Sequence, residues 1–248
     1  MIKKYTKKVD THWQSYKDFF QITIFRYLIT WFAIIPFLAK LFSELPKSIT
    51  IQTAPEITYI LPILLPFQWQ LLWLSSLLFV FAFFLYKKFC PKFIITYPNF
   101  NKYLEMNHSP RWLIEEAKEV VKSKSDIPKF IRRLEGKGYL KEIDFNASLK
   151  TKTEVFEKQT KLFFNYEKKT YLLALPILTN HSIVSMELTN IAEKEIFWEI
   201  YGRFSSSKYQ IRFLIEVLLV LSLIFFLIVL GEHIYAGLQY FIDWISTL

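Results

Sequence analysis

Apolar positions in this chain gather into three long blocks separated by polar stretches. The cleanest block is 67–86, FQWQLLWLSSLLFVFAFFLY, twenty residues without a charge. At ~1.5 Å rise per residue it matches the ~30 Å hydrocarbon core of a bilayer. It begins after Pro66 and stops at Lys87 and Lys88, with Trp69 and Trp73 near one end and Tyr86 at the other, as interfacial aromatics sit. A second block, 213–231, FLIEVLLVLSLIFFLIVLG, is interrupted only by Glu216. The third, 22–42, carries Arg26 and Lys40 inside its ends. Both stems are long enough to bring their charges to the headgroups, and Pro36 predicts a kink that membrane helices tolerate. The pattern predicts an α-helical integral membrane protein with three transmembrane helices.

The flanking charges predict the orientation. Lys3, Lys4, Lys7 and Lys8 precede 22–42; Lys87, Lys88 and Lys92 open the segment between 67–86 and 213–231, and Lys208 and Arg212 close it. The stretch 43–66 has only Lys47 against Glu44 and Glu56, and the tail after Gly231 has no Lys or Arg. The N-terminus is therefore expected inside and the C-terminus outside. Residues 1–90 hold the basic N-terminal segment and the first two crossings, 91–208 form a cytoplasmic α+β domain, and 209–248 hold the third crossing and an outer interfacial tail. In that tail Ile234, Leu238, Phe241, Ile242 and Ile245 recur at helical spacing. The tail either extends the third helix or turns onto the outer surface. The apolar run 57–66, ITYILPILLP, is too short to cross and is expected in the outer interface.

Within the middle segment, Phe93 to Tyr97 reads as a strand. Ser109-Pro110 reads as a helix start, leading to a helix with Trp112, Leu113, Ala117, Val120 and Val121 on one face. Ser125 or Asp126 caps the next helix, Pro128 fits its first turn, and Gly136 ends it. Tyr139 to Phe145 alternates as a strand. Lys161–Tyr166 and Thr170–Ile177 form a hairpin turning at Glu167-Lys168-Lys169. Asn190 and Glu193 fit a capping box that opens a helix to Tyr201, with Ile191, Phe197, Ile200 and Tyr201 inward.

Composition narrows the chemistry. The net charge is +9 over 248 residues. Residues 87–212 hold 23 Lys or Arg against 15 Asp or Glu, so the middle segment carries nearly all of it. A basic domain at the cytoplasmic face meets anionic lipid headgroups or, more sharply, nucleic acid. The single cysteine, Cys90, excludes an internal disulfide and a cysteine-based zinc site. No two of the four histidines stand at metal-ligand spacing, and there is no Gly-rich phosphate loop or nucleophile elbow. No enzyme activity, metal or cofactor is expected.

The order helix, helix, strand, hairpin, with the run IRRLEGKGYLKE from Ile131 to Glu142, resembles a winged-helix module over about 40 residues. That resemblance implies a recognition helix in which Lys129, Arg132 and Arg133 face DNA, with Lys137 beside them; these four are also the candidate contacts to anionic lipid. Arg26 and Glu216 lie about one turn inside the cytoplasmic ends of two parallel crossings. They are expected to form an intramembrane ion pair, with Arg212 as a local rival. In layout the chain is similar to membrane effectors of bacterial antiviral systems, in which a soluble part senses and helices disturb the bilayer. That similarity implies a homo-oligomer in a bacterial inner membrane. The alternatives are a membrane scaffold or accessory subunit that docks a cytoplasmic protein, and a membrane-tethered DNA-binding regulator.

Overall fold

The computed structural model describes residues 12–22, 68–124, 126–144, 150–179 and 183–246, the backbone of 48–54 and 57–62, and single helical positions at Thr30, Ile34, Phe37 and Leu41. Most of the first crossing, Arg26 included, lies outside the described residues. The chain divides into two compact units, one of Met1–Lys17 and Cys90–Tyr209, the other of Asp18–Phe89 and Gln210–Leu248.

The first unit mixes helix and sheet. Its four-stranded antiparallel sheet is ordered β3-β6-β5-β4, from Leu140–Ile143 (β3), Lys152–Val155 (β4), Thr160–Tyr166 (β5) and Lys169–Leu175 (β6). β5 and β6 are joined by Glu167 and Lys168 alone, both at positive φ, the tight two-residue turn that matches strand twist. Leu162 and Phe164 on β5 and Leu173 and Leu175 on β6 point into the core. Helix α5 (Trp112–Lys122) buries Leu113, Ile114, Ala117, Val120 and Val121, and helix α6 (Ile127–Gly136) buries Ile127, Phe130, Ile131 and Leu134. Pro128 sits in the first turn of α6. Gly138, at φ +75, lets the chain leave it, and the Tyr139 N–H donates to the Leu134 carbonyl at 3.0 Å.

Three local expectations change. Residues 93–96 are helical: α3 is Lys92–Thr96 and α4 is Phe100–Glu105. Packing overrides the strand-forming residue types there, because Phe93 meets Phe197 at 5.3 Å and Phe204 at 5.6 Å, and the Lys17 ammonium donates to the Ile94 carbonyl at 2.7 Å. Helix α7 (Met186–Ser206) starts one turn before the expected capping box, on Ser185, whose hydroxyl accepts from the Leu188 N–H. Trp112 and Ile191 are exposed rather than inward. The strand after α6, β3, pairs with β6 of the hairpin, and β7 (Leu178–Thr179) and β8 (Ile183–Val184) make a separate small ladder.

The second unit contains an antiparallel backbone hairpin, β1 (Ser48–Ala54) with β2 (Ile57–Pro62), and two helices long and apolar enough to cross a membrane. These are α2 (Trp69–Phe89) and α8 (Tyr209–Ser246). Phe20, from helix α1 (Trp13–Gln21), packs on Phe79, Phe83 and Tyr86 of α2. Of the two readings open for the tail, α8 takes the first: it runs unbroken through Gly231 to Ser246.

Candidate functional site

Ser75 of α2 and Ser222 of α8 are both buried. The Ser75 hydroxyl donates to the Ser222 carbonyl and the Ser222 hydroxyl to the Ser75 carbonyl, each at 2.8 Å. A serine is small enough to bring two backbones close, and in a water-free contact its hydroxyl satisfies itself on the facing carbonyl. Ser76 instead bonds back to the Trp73 carbonyl at 2.7 Å. At the end of the pair the Gln68 N–H, before the first turn of α2, donates to the Glu232 carboxylate at 2.9 Å, which meets a helix N-terminus with negative charge. Phe81 and Phe84 point outward.

In the first unit the candidate basic residues separate into two groups. Arg133 donates to the buried Glu199 carboxylate of α7 at 3.3 Å, and the Lys137 ammonium stands 3.6 Å from both Glu199 and Glu195. Both are therefore occupied inside the unit. Arg132 is exposed and Lys129 half-exposed, and neither makes an ion pair among the described residues. At the start of α6 the buried Arg203 of α7 donates to Asp126 at 2.7 Å. Glu216 is half-buried on α8, and the buried Arg212 precedes it by one turn on the same helix. Its other expected partner, Arg26, is not among the described residues.

Beneath α7 lies an aromatic cluster of Phe93, Tyr97, Phe100, Tyr103, Phe197 and Tyr201 with one acid in it. The Tyr103 hydroxyl donates to the Glu193 carboxylate at 3.0 Å, with both groups buried. Burial pushes the Glu193 carboxyl above the usual carboxylate value, and the tyrosine hydrogen bond only partly restores it. Burial, reinforced by the Glu193 charge, raises the Tyr103 hydroxyl as well.

A cleft of about 600 Å³ opens on the first unit. Its walls are three chain segments: Pro91 to Phe93, the end of α5 with Glu116, Glu119, Ser123 and Lys124, and the end of α7 with Phe204, Ser207 and Lys208. Lys92, Lys124 and Lys208 give it three ammonium groups. Glu119 is held by Lys122 at 2.7 Å. Burial, then the charges of Glu119 and Glu115, raise Glu116. Ammonium groups around an apolar floor of Phe93 and Phe204 suit a ligand with an anionic group on a carbon skeleton. The positions were visible in the sequence as scattered basic residues; their convergence depends on α3 being a helix, which the sequence pattern did not show. No protein-family model matches this chain, and no curated protein or solved structure matches it.

Proposed function

We propose that the chain is a non-enzymatic, oligomeric membrane effector with three transmembrane helices, its N-terminus inside and its C-terminus outside. Its cytoplasmic α+β domain receives a signal and alters how the helices pack, in the manner of bacterial antiviral membrane effectors. The observation that carries this reading is the make-up of the cleft. Lys92 is three residues after the end of α2, and Lys208 is one residue before the start of α8. A ligand drawn to these lysines engages the two chain segments that lead directly into the helices, so differential binding can bias two helix packings. The charge asymmetry of the flanks supports the orientation, and 22–42 supplies the third crossing.

Two measurements test it. In cells carrying a membrane-potential dye, induced expression with the activating signal present should depolarise the membrane. The Lys92→Glu, Lys124→Glu, Lys208→Glu triple variant should insert equally and fail to depolarise. Equal depolarisation by the variant removes the cleft from the mechanism, and no depolarisation under any inducing condition favours a scaffold. A C-terminal alkaline phosphatase fusion should be active and a C-terminal fluorescent fusion dark; the reverse pattern means an even number of crossings. The DNA-binding alternative rests on Lys129 and Arg132, the two basic residues of α6 that the α7 acids leave in solvent. It requires salt-sensitive binding that Arg132→Ala weakens.

A further inference from the structure

Helix α8 is longer than a bilayer requires. Its 38 residues rise about 57 Å at ~1.5 Å each, against ~30 Å of hydrocarbon. Two contacts fix where the surplus lies. The Ser75–Ser222 exchange and the bond from Gln68 to Glu232 set the register of α8 on α2. Helix α2, with 21 residues, spans the hydrocarbon by itself, at about 31 Å. Glu232 is level with its outer end. The residues from His233 to Ser246 therefore stand beyond the hydrocarbon, a projection of roughly 20 Å.

This projection has two unlike sides. Glu232, Ala236, Gln239, Asp243 and Ser246 follow one another at alternating spacings of four and three, a polar or small stripe. Ile234, Leu238, Phe241 and Ile245 follow at four, three and four on the opposite side. On the single chain Leu238 is 57% and Phe241 52% exposed. The hydrocarbon-facing part of α8 has no polar stripe, since lipid suits every side of it. A stripe appears where the helix meets water, and its apolar opposite needs a cover.

We infer that a second copy of this chain provides it: the Ile234, Leu238, Phe241, Ile245 seams of neighbouring copies pair as a parallel coiled coil outside the membrane. Spacings of four, three and four, held here from Ile234 to Ile245, are those that insert side chains of one helix between those of another. Copies inserted by one mechanism share one orientation, so like residues stand at like heights. A lipid surface fits less well. The helix has no proline or break at which to fold down onto it, and the polar stripe carries Glu232 and Asp243 with no Lys or Arg after Arg212, the reverse of helices that lie on anionic headgroups. This inference rests on the membrane reading of α2 and α8 proposed above.

Cysteine cross-linking of the full chain in native membranes tests it. In a Cys90→Ser background, Leu238→Cys and Ile245→Cys should give disulfide-linked dimers on mild oxidation, several-fold more than Gln239→Cys and Asp243→Cys. Equal yields at seam and stripe, or none at either, overturn the coiled coil. A dye on Leu238→Cys that lipid-borne quenchers reach, with no cross-link at that position, overturns it in favour of the lipid surface. Alkaline carbonate extraction of the same membranes reports separately on insertion. Release of the chain sinks the membrane reading, while the cross-linking pattern still decides whether the seam pairs.

Discussion

The two units of this chain place the same kinds of residue in opposite positions. In the first unit Phe130, Phe164 and Phe197 are fully buried, and among its described lysines only Lys17 is. In the second the fully buried positions of α2 are Ser75, Ser76 and Ala82, while Phe81 and Phe84 face outward. A core built against water hides its largest apolar groups, because removing their area from water is the driving term. On the membrane reading a helix pair facing lipid gains little from hiding every phenylalanine: Phe20 and Phe79 are buried against each other, while Phe81 and Phe84 are left outside. Its contacts go to small residues that allow close approach and to hydroxyls that have nowhere else to bond.

Phenylalanine is where the two units should differ most. Phe197→Ala should destabilise the first unit by about 3–5 kcal/mol, read as loss of near-ultraviolet dichroism and protease resistance in detergent. Phe84→Ala, on the outward side of α2, should change stability by no more than about 0.5 kcal/mol. Equal costs would mean the second unit is packed like a water-soluble core. Ser222→Leu tests the other half: a large side chain at the close contact should cost about 1–3 kcal/mol, although leucine is the more apolar residue. The measurement is the midpoint of unfolding in mixed micelles as sodium dodecyl sulfate is added, and a raised midpoint would contradict small-residue packing.

A smaller effect of opposite sign is expected at Glu193. Below the ordinary carboxylate value of 4.5 the acid is protonated in folded and unfolded chains alike, and its burial carries no charge penalty. As pH rises through the raised folded value the unfolded chain releases its proton more readily, and stability falls. Glu193→Gln keeps an acceptor for Tyr103 and removes that loss. It should be more stable than the parent at pH 7 and indistinguishable near pH 4, as measured by thermal unfolding across pH. Glu116, raised in the same direction, leaves a residual decline in the variant. The smallest expected effect is that of Ser222→Ala, about 0.6 kcal/mol and at most roughly 1.7, read in the same micelle assay as Ser222→Leu. A larger loss would make the serine exchange, rather than close packing, the main fastening of α2 to α8.

Features written in neighbouring residues were legible from the sequence. The lengths of α2 and the apolar part of α8, the hairpin expected to turn at Glu167-Lys168-Lys169 (Lys169 belongs to β6) and the Pro128 start and Gly136 stop of α6 all depend on spacings of a few positions. What was missed depends on distant partners. Residues 93–96 have strand-forming side chains and become helical because Phe197 and Phe204, about a hundred positions on, hold Phe93. Arg133 and Lys137 read as a basic face until Glu195 and Glu199 are placed opposite them. A signal was available there, since both pairs are spaced by four and each lines one side of its helix. The serines of the two long blocks were visible, but nothing local says that Ser75 meets Ser222. The unbroken run of α8 past Gly231 was one of two open readings, because one glycine in an apolar helix weakens it without ending it.

The serine exchange also sets a timetable. Its two residues are 147 positions apart, and synthesis at ~5–20 residues per second separates them by about 7–30 s. On the membrane reading, α2 enters the bilayer long before its partner is made. During that interval its Ser75 hydroxyl has no interhelical acceptor, and the whole first unit is built before α8 arrives. The closing of the helix pair thus follows synthesis of the whole first unit, so on the membrane reading a ribosome that stalls anywhere before Ser222 leaves a half-assembled protein in the membrane with its serine face open to other helices.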